Sequence, residues 1–367
     1  MNRFPIYAKI AFIFIGLFCT VYTLYIGREI LIPIAYSVII ATLLSPLVMR
    51  LERRKINRIA SIAIAVVMSI LLTAGLIYFI ASQLSMFNSA LPMMRQKVNL
   101  MQGESAQWLS VHFNLSIQQI NAWFANSKSE IINNGNSMIG KTLVTITGIL
   151  IFVFLVPVYV FMILYYEPLL MVFSKKLFNK VYHQKLEEVL VQTKTIIQSY
   201  LNGLLIEALI IGALNSMALL IIGVDYAILL GIVGALLNMI PFIGGIVAVA
   251  LPMAIALFTK DSFYYPVLVL LSYMVIQFFD NHYITPKIVA SKVKINALVA
   301  VIVVLIGNAL WGIPGMFLAI PVTGILKVIF EHIESMKPWA FLLGDTMPST
   351  GRYVFNFSRK KVRKISE

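Results

Sequence analysis

Gln277, Asp280 and Asn281 stand at i, i+3 and i+4 in an otherwise apolar run. On a helix that spacing puts an amide, a carboxylate and a second amide on one face. Such a set can hydrogen-bond a polar solute or exchange a proton. The competing account is a helix end whose polar groups are solvated. Glu207 and Asn215 form a second pair, about two turns apart on another apolar run. Within hydrocarbon each of these groups is costly and usually faces the protein interior. Asp280 and Glu207 are therefore the candidates for ion or proton coupling. Glu207 lies near one end of its run, where snorkelling or a pairing with a loop lysine is an equal account. Lys327 and Glu331 read as a plain i, i+4 ion pair.

A different chemistry is suggested by two long apolar stretches, 225–258 and 296–330, each broken near its middle by Gly and Pro. The first contains Gly234-Ala-Leu-Leu-Asn238-Met-Ile-Pro241-Phe-Ile-Gly244-Gly245, and the second Gly307-Asn308-Ala-Leu-Trp311-Gly312-Ile-Pro314-Gly315. Both follow Gly-x5-Ile-Pro. A half-helix that ends inside a protein exposes unpaired N–H or C=O groups. Paired interrupted segments of this kind point to a transporter's binding site. Asn238, Pro241, Gly244 and Gly245 are the candidates on the first tip. Asn308, Trp311, Gly312, Pro314 and Gly315 are those on the second. Trp311 would close over a small ring-like solute or serve as a packing anchor.

The elements that hold these residues follow from composition. The 367 residues are 60% hydrophobic and 12% charged, against roughly 25% charged in soluble domains. Mean hydropathy is +0.90. Apolar runs of about 20 residues recur along the chain, the mark of an all-α polytopic membrane protein. The net charge of +14 falls in loops between spans, so no nucleic-acid partner is needed to explain it. Cys19 is the single cysteine, and His112, His183, His282 and His332 are scattered, so no metal site is expected. No P-loop, nucleophile elbow or GxGxxG is present. The reading is therefore a non-enzyme without cofactors, and ATP-driven transport would need another subunit.

Full spans are expected at 7–26, 30–49, 59–83, 143–165, 204–222 and 262–280, the first retained rather than cleaved as a signal peptide. Arg50, Arg53, Arg54, Lys55 and Arg58 make the 50–58 turn basic. Loop 166–203 carries Lys175, Lys176, Lys180, Lys185 and Lys194, and 287–294 carries Lys287, Lys292 and Lys294. The tail adds Arg359, Lys360, Lys361, Arg363 and Lys364. These regions, with both termini, are expected in the cytoplasm. Segment 225–258 must then begin and end outside, and its 34 residues fall short of the about 40 that two spans need. It reads as a re-entrant hairpin from outside, and 296–330 as one from inside. Together they form an inverted repeat. The expected organisation is a three-span region (1–83), an extracytoplasmic helical segment (84–142), a span plus cytoplasmic amphipathic helix (143–203), span plus outside hairpin (204–258), span plus inside hairpin (262–330), and a basic tail (331–367). Within 84–142, Ser116-Ile-Gln-Gln119 resembles a capping box, and packing or contact between copies in a homo-oligomer is the expected role. The amphipathic helix is read over 175–201.

At these residues the chain resembles the AI-2E transporter family, also called autoinducer-2 exporters or PerM-like permeases. The carrying pieces are Tyr200-Leu-Asn-Gly203, Gly223-Val-Asp-Tyr-Ala227 with Leu230-Gly231, and the Gly234–Gly244 segment. To these add Gln277-Phe-Phe-Asp280-Asn281 with Pro286-Lys287-Ile288, and Gly312-Ile-Pro-Gly315 with Ala319-Ile-Pro321. The chain departs from the family pattern at Leu204 and at Ala290-Ser291. The resemblance implies a bacterial inner-membrane protein. Export of autoinducer-2, a small polar solute, is the activity it implies for some members, and sodium or lithium–proton antiport for others. A membrane scaffold without transport is the third hypothesis, and the paired broken segments weigh against it.

Overall fold

The computed structural model describes residues 5–82, 110, 116, 153–240, 244–260 and 262–346. The expectations for 84–142 and for Pro241 at the first tip lie outside the described residues, apart from single positions. Among the described residues the chain is helical and has no strand, apart from one isolated bridge between Ile295 and Gly344.

Four helices open the chain: α1 (Ile6–Ile26), α2 (Arg28–Arg53), α3 (Arg58–Ser82) and α4 (Val153–Leu177). Ala41 and Val48 of α2, Ile62 and Ala65 of α3, and Val156 and Val160 of α4 share one buried cluster. A polar clamp joins their ends. Arg58 donates to the Leu164 carbonyl at 2.7 Å and faces Glu167. Lys194 reaches both Glu167 at 3.2 Å and Ser45 at 2.8 Å.

Among the described residues the longest helix is α5 (His183–Ile222), with 40 residues. At 1.5 Å per residue it is about 60 Å long, twice a hydrocarbon core. The amphipathic helix expected at 175–201 runs on into the span, but its start is corrected. Residues 175–177 belong to α4, and Asn179, in extended backbone, separates them from a short turn at Lys180–Tyr182. Asn favours such breaks because its side chain competes for backbone hydrogen bonds.

Two helical hairpins follow. The first is α6 (Ala227–Asn238) and α7 (Gly244–Thr259), closed at its base by an ion pair between Lys260 and Asp225 at 3.6 Å. Next comes α8 (Tyr264–Phe279), which continues through two wide-turn, π-helical segments, Asp280–Ile284 and Pro286–Ala290. The second hairpin is α9 (Ala297–Trp311) and α10 (Ile313–Glu331). A short α11 (Lys337–Leu343) pins its base. There Asn296 caps α9 through the Val299 N–H and donates to the Leu342 and Gly344 carbonyls. Lys327 meets Glu331 at 3.4 Å.

Helix length limits what can cross a bilayer. Among the described residues, Arg28–Arg53, Arg58–Ser82, Val153–Leu177, Lys180–Ile222, Tyr264–Val289 and Ile313–Glu331 are long and apolar enough. Helix α1, Ile6–Ile26, has 21 residues, the length expected of a span, and α10 reaches spanning length although it was expected as a hairpin arm. Helix α6 has 12 residues and α9 has 15, so they run about 18 and 22 Å, short of the roughly 30 Å core.

The second hairpin turns at Gly312, whose φ of 63° and ψ of −143° only glycine adopts without strain. Its arms meet backbone to backbone at Gly307 and Gly315, where a Cβ on either would land on the other's carbonyl oxygen. Gly315→Ala should therefore destabilise by about 1–3 kcal/mol, as overpacked cores do. Thermal unfolding of the purified protein in detergent reads this. Gly16→Ala, where nothing stands within 4 Å, should not lower the melting temperature. Equal melting of Gly315→Ala and wild type would mean the arms are not in contact.

Candidate functional site

A cavity of about 720 Å3 opens between α5, the first hairpin, α8 with its wide turns, and the second hairpin. Its polar lining comes from Tyr200 and Glu207 on α5, Asn238 on α6, and Tyr273 and Gln277 on α8. Asp280, Asn281 and Thr285 complete it from the first wide turn and the residue that follows it. Much of the remaining wall is aliphatic, including Leu204, Met239, Val249 and Ile320. The volume lies within the range of about 300–1,000 Å3 typical of small-molecule sites.

Asp280 sits at the centre and is 1% exposed. Its Oδ2 accepts from Asn238 Nδ2 at 2.8 Å and from Gln277 Nε2 at 3.4 Å. Thr285 Oγ1 lies 3.1 Å from its Oδ1 and 3.0 Å from Glu207 Oε1. Gln277 also donates to Asn281 at 3.2 Å. Asp280 is thus not a solvated helix end, and Glu207, 8% exposed, pairs with Thr285 rather than with a loop lysine.

Local geometry explains how Thr285 arrives. In an α-helix, residues five apart point about 140° away from each other. Pro286 has no N–H to give, and its ring would crowd the carbonyl four residues earlier. The chain widens to i→i+5 turns, which bring the fifth residue back over the first. Thr285 thereby joins Asp280. The Thr285-Pro286 pair thus widens the helix rather than ending it.

The cavity gathers Glu207, Asn238, Gly245, Gln277, Asp280 and Asn281 from the sequence-based candidates. Gly244 is buried against the Leu237 and Asn238 backbone and does not line it. The second tip is placed elsewhere. Trp311 Nε1 donates to the Leu24 carbonyl of α1 at 2.9 Å, and the Pro314 carbonyl accepts from Tyr36 of α2 at 3.4 Å. Asn308, Trp311, Gly312, Pro314 and Gly315 are not among the lining residues. Trp311 is an anchor on α1, the Pro314 carbonyl is held by α2, and the second hairpin lines the cavity through its arms, at Ala300 and Ile320. Ile240 of the first tip packs against Val304, Met316 and Ala319, so the first tip rests on the second hairpin. Asn215 is buried outside the lining.

Sequence reasoning missed Tyr200, Tyr273 and Thr285 as site residues. Tyr273 stands one i, i+4 step before Gln277, a signal that spacing offered. Thr285 offered none, because α-helical periodicity puts it on another face.

Comparison with known proteins adds a second line. The model of the AI-2E transporter family matches residues 11–335. The AI-2 transport protein TqsA of Escherichia coli K12 is 24% identical over 324 residues, 87% of this chain and 90% of TqsA. YueF of Bacillus subtilis, named for transport with no substrate, is 25% identical over 89% of this chain and 88% of its own. YrrI of the same organism, similarly named, is 30% identical, but the match spans 38% of either chain.

Asn238→Ala should leave Asp280 Oδ2 with the long Gln277 contact alone. Losing a hydrogen bond to a charged group costs about 1.5–3 kcal/mol. A lower melting temperature of purified Asn238→Ala in detergent, partly restored in Asn238→Gln, is the expected outcome. No change would separate Asn238 from Asp280.

Proposed function

The chain belongs to the AI-2E transporter family, and we propose that it exports a small polar solute as a secondary transporter, with the Asp280 cavity as its binding site. It is a multi-pass membrane protein; membership of a bacterial transporter family supports an inner-membrane location, and the basic loops support cytoplasmic termini. The observation that carries the reading is a roomy cavity with two buried carboxyl groups, Glu207 and Asp280, and a ring of amides and hydroxyls. That lining suits a solute rich in oxygen. Autoinducer-2 is the candidate, because TqsA is named an AI-2 transport protein.

Alternating access supplies the mechanism. Two short-armed hairpins on either side of a site are what inverted-repeat transporters use. The first tip brings Asn238 to Asp280. Withdrawing that tip would break a charge-assisted hydrogen bond and open the cavity towards the side from which the hairpin enters, outside by loop charge. Closure re-forms the bond. The second hairpin, held through Trp311 and Tyr36, is the steadier wall.

A second reading, sodium or lithium–proton antiport, is favoured by one observation: two carboxyl groups, Glu207 and Asp280, are both buried beside the cavity.

Reconstituted vesicles decide between them. Export predicts uptake of autoinducer-2 into inside-out vesicles, and accumulation of it in cells lacking the protein. Gln277→Leu should cut flux by about tenfold to a hundredfold, the worth of one hydrogen bond to a charged group. Antiport predicts instead an internal pH change on adding sodium or lithium, abolished in Asp280→Asn. Vesicles that do neither would remove the transport reading.

A further inference from the structure

The placement of Thr285 bears on a proton. A threonine hydroxyl has one hydrogen to give, yet Thr285 Oγ1 stands 3.0 Å from Glu207 Oε1 and 3.1 Å from Asp280 Oδ1. With both carboxyls ionised, one of these oxygen–oxygen contacts would hold no hydrogen. Two like charges would also share a site 1% and 8% exposed, where an uncompensated charge is costly. Neutralising one of them removes both problems.

The donors identify which one. Asp280 accepts from every side, from Asn238 and Gln277 on Oδ2 and from Thr285 on Oδ1. That is the environment of an anion. The contact of Glu207 with Thr285 is completed when Glu207 supplies the hydrogen. We propose that Glu207 carries a proton at neutral pH. Its O–H donates to Thr285 Oγ1, and Thr285 donates in turn to Asp280 Oδ1. Releasing the proton breaks the Glu207 O–H bond and hands the hydrogen ion to water or to a base entering the cavity. Thr285 then has one hydrogen for two carboxylates.

Among the described residues, the titratable ones lining the cavity are Tyr200 and Glu207 on α5, Tyr273 on α8, and Asp280, with no Lys, Arg or His. On α2, Tyr36 bonds the Pro314 carbonyl. Lys287, Lys292 and Lys294, on the segment after α8, are exposed. His282 is exposed and bonded to the Phe278 carbonyl. Lys327 of α10 pairs with Glu331. On α6, α7, α9 and α10 no titratable residue lines the cavity.

Glu207 and Asp280 both line the cavity proposed to hold the solute, so a proton and a solute meet in one chamber. The proton becomes a coupling group for transport, a role that rests on the reading above.

Infrared spectroscopy of the purified chain in lipid nanodiscs, titrated through neutral pH, reads the carbonyl stretch of a protonated carboxyl. Wild type should show such a band at neutral pH and lose it on alkalinisation. Glu207→Gln should lack it, and flux in vesicles of that variant should lose its pH dependence. Thr285→Val should shift the band by removing its hydrogen-bond acceptor. A wild type with no band, a band that survives Glu207→Gln, or one unmoved by Thr285→Val overturns the assignment. The wild-type titration stands even if a variant fails to fold. The band is read without solute. A protein that shows it yet moves nothing would sink the transport reading and uphold the protonation. Transport without the band would do the reverse.

Discussion

A buried carboxyl group must be met by hydrogen-bond partners, and in this molecule that demand falls at Asp280. The side chain is 1% exposed, and its partners come from the end of α6, from α8, and from the residue between the two wide turns. Removing water from a charge costs far more than ordering the groups that replace it. The first hairpin tip, α8 and the widened segment are therefore coupled. None can move without taking a hydrogen bond away from the same buried atom pair.

The two hairpins share the Gly-x5-Ile-Pro pattern and divide the labour. The first tip faces the polar chamber through Asn238. It rests on α9 and α10 through Ile240. The second tip is tied to α1 and α2 by Trp311 and Pro314, and its arms are locked at Gly307 and Gly315. The motif specifies a reversal; the neighbours specify what each tip rests on.

Away from this chamber the chain is apolar on its outer faces. Leu209 and Ile221 of α5 are 75% and 80% exposed, on a helix whose inner face buries Leu204, Ile211 and Leu219. In water such faces would drive aggregation. Against lipid they cost nothing, and the polar side chains are left to turn inward. The polar clamp of Arg58, Glu167 and Lys194 sits instead at helix ends. This segregation is why few polar groups lie deep, and why those few converge.

Most of the helical framework was legible in the residues themselves. Hydropathy and run length determine a polytopic helical bundle, because backbone groups in hydrocarbon have to bond within their own segment. The cost of polar side chains in that setting singled out Glu207, Asn215, Gln277, Asp280 and Asn281, of which all but Asn215 line the cavity. Two things escaped. The equal motifs of the hairpins concealed unequal roles, because Trp311 meets a carbonyl at Leu24, 287 positions away in the chain. Thr285 escaped because helical periodicity assumes 3.6 residues per turn. The sequence alone determined which groups needed partners. Only the tertiary structure decided that the helix after Phe279 widens, and that a hydroxyl five residues beyond Asp280 returns to bridge it to Glu207.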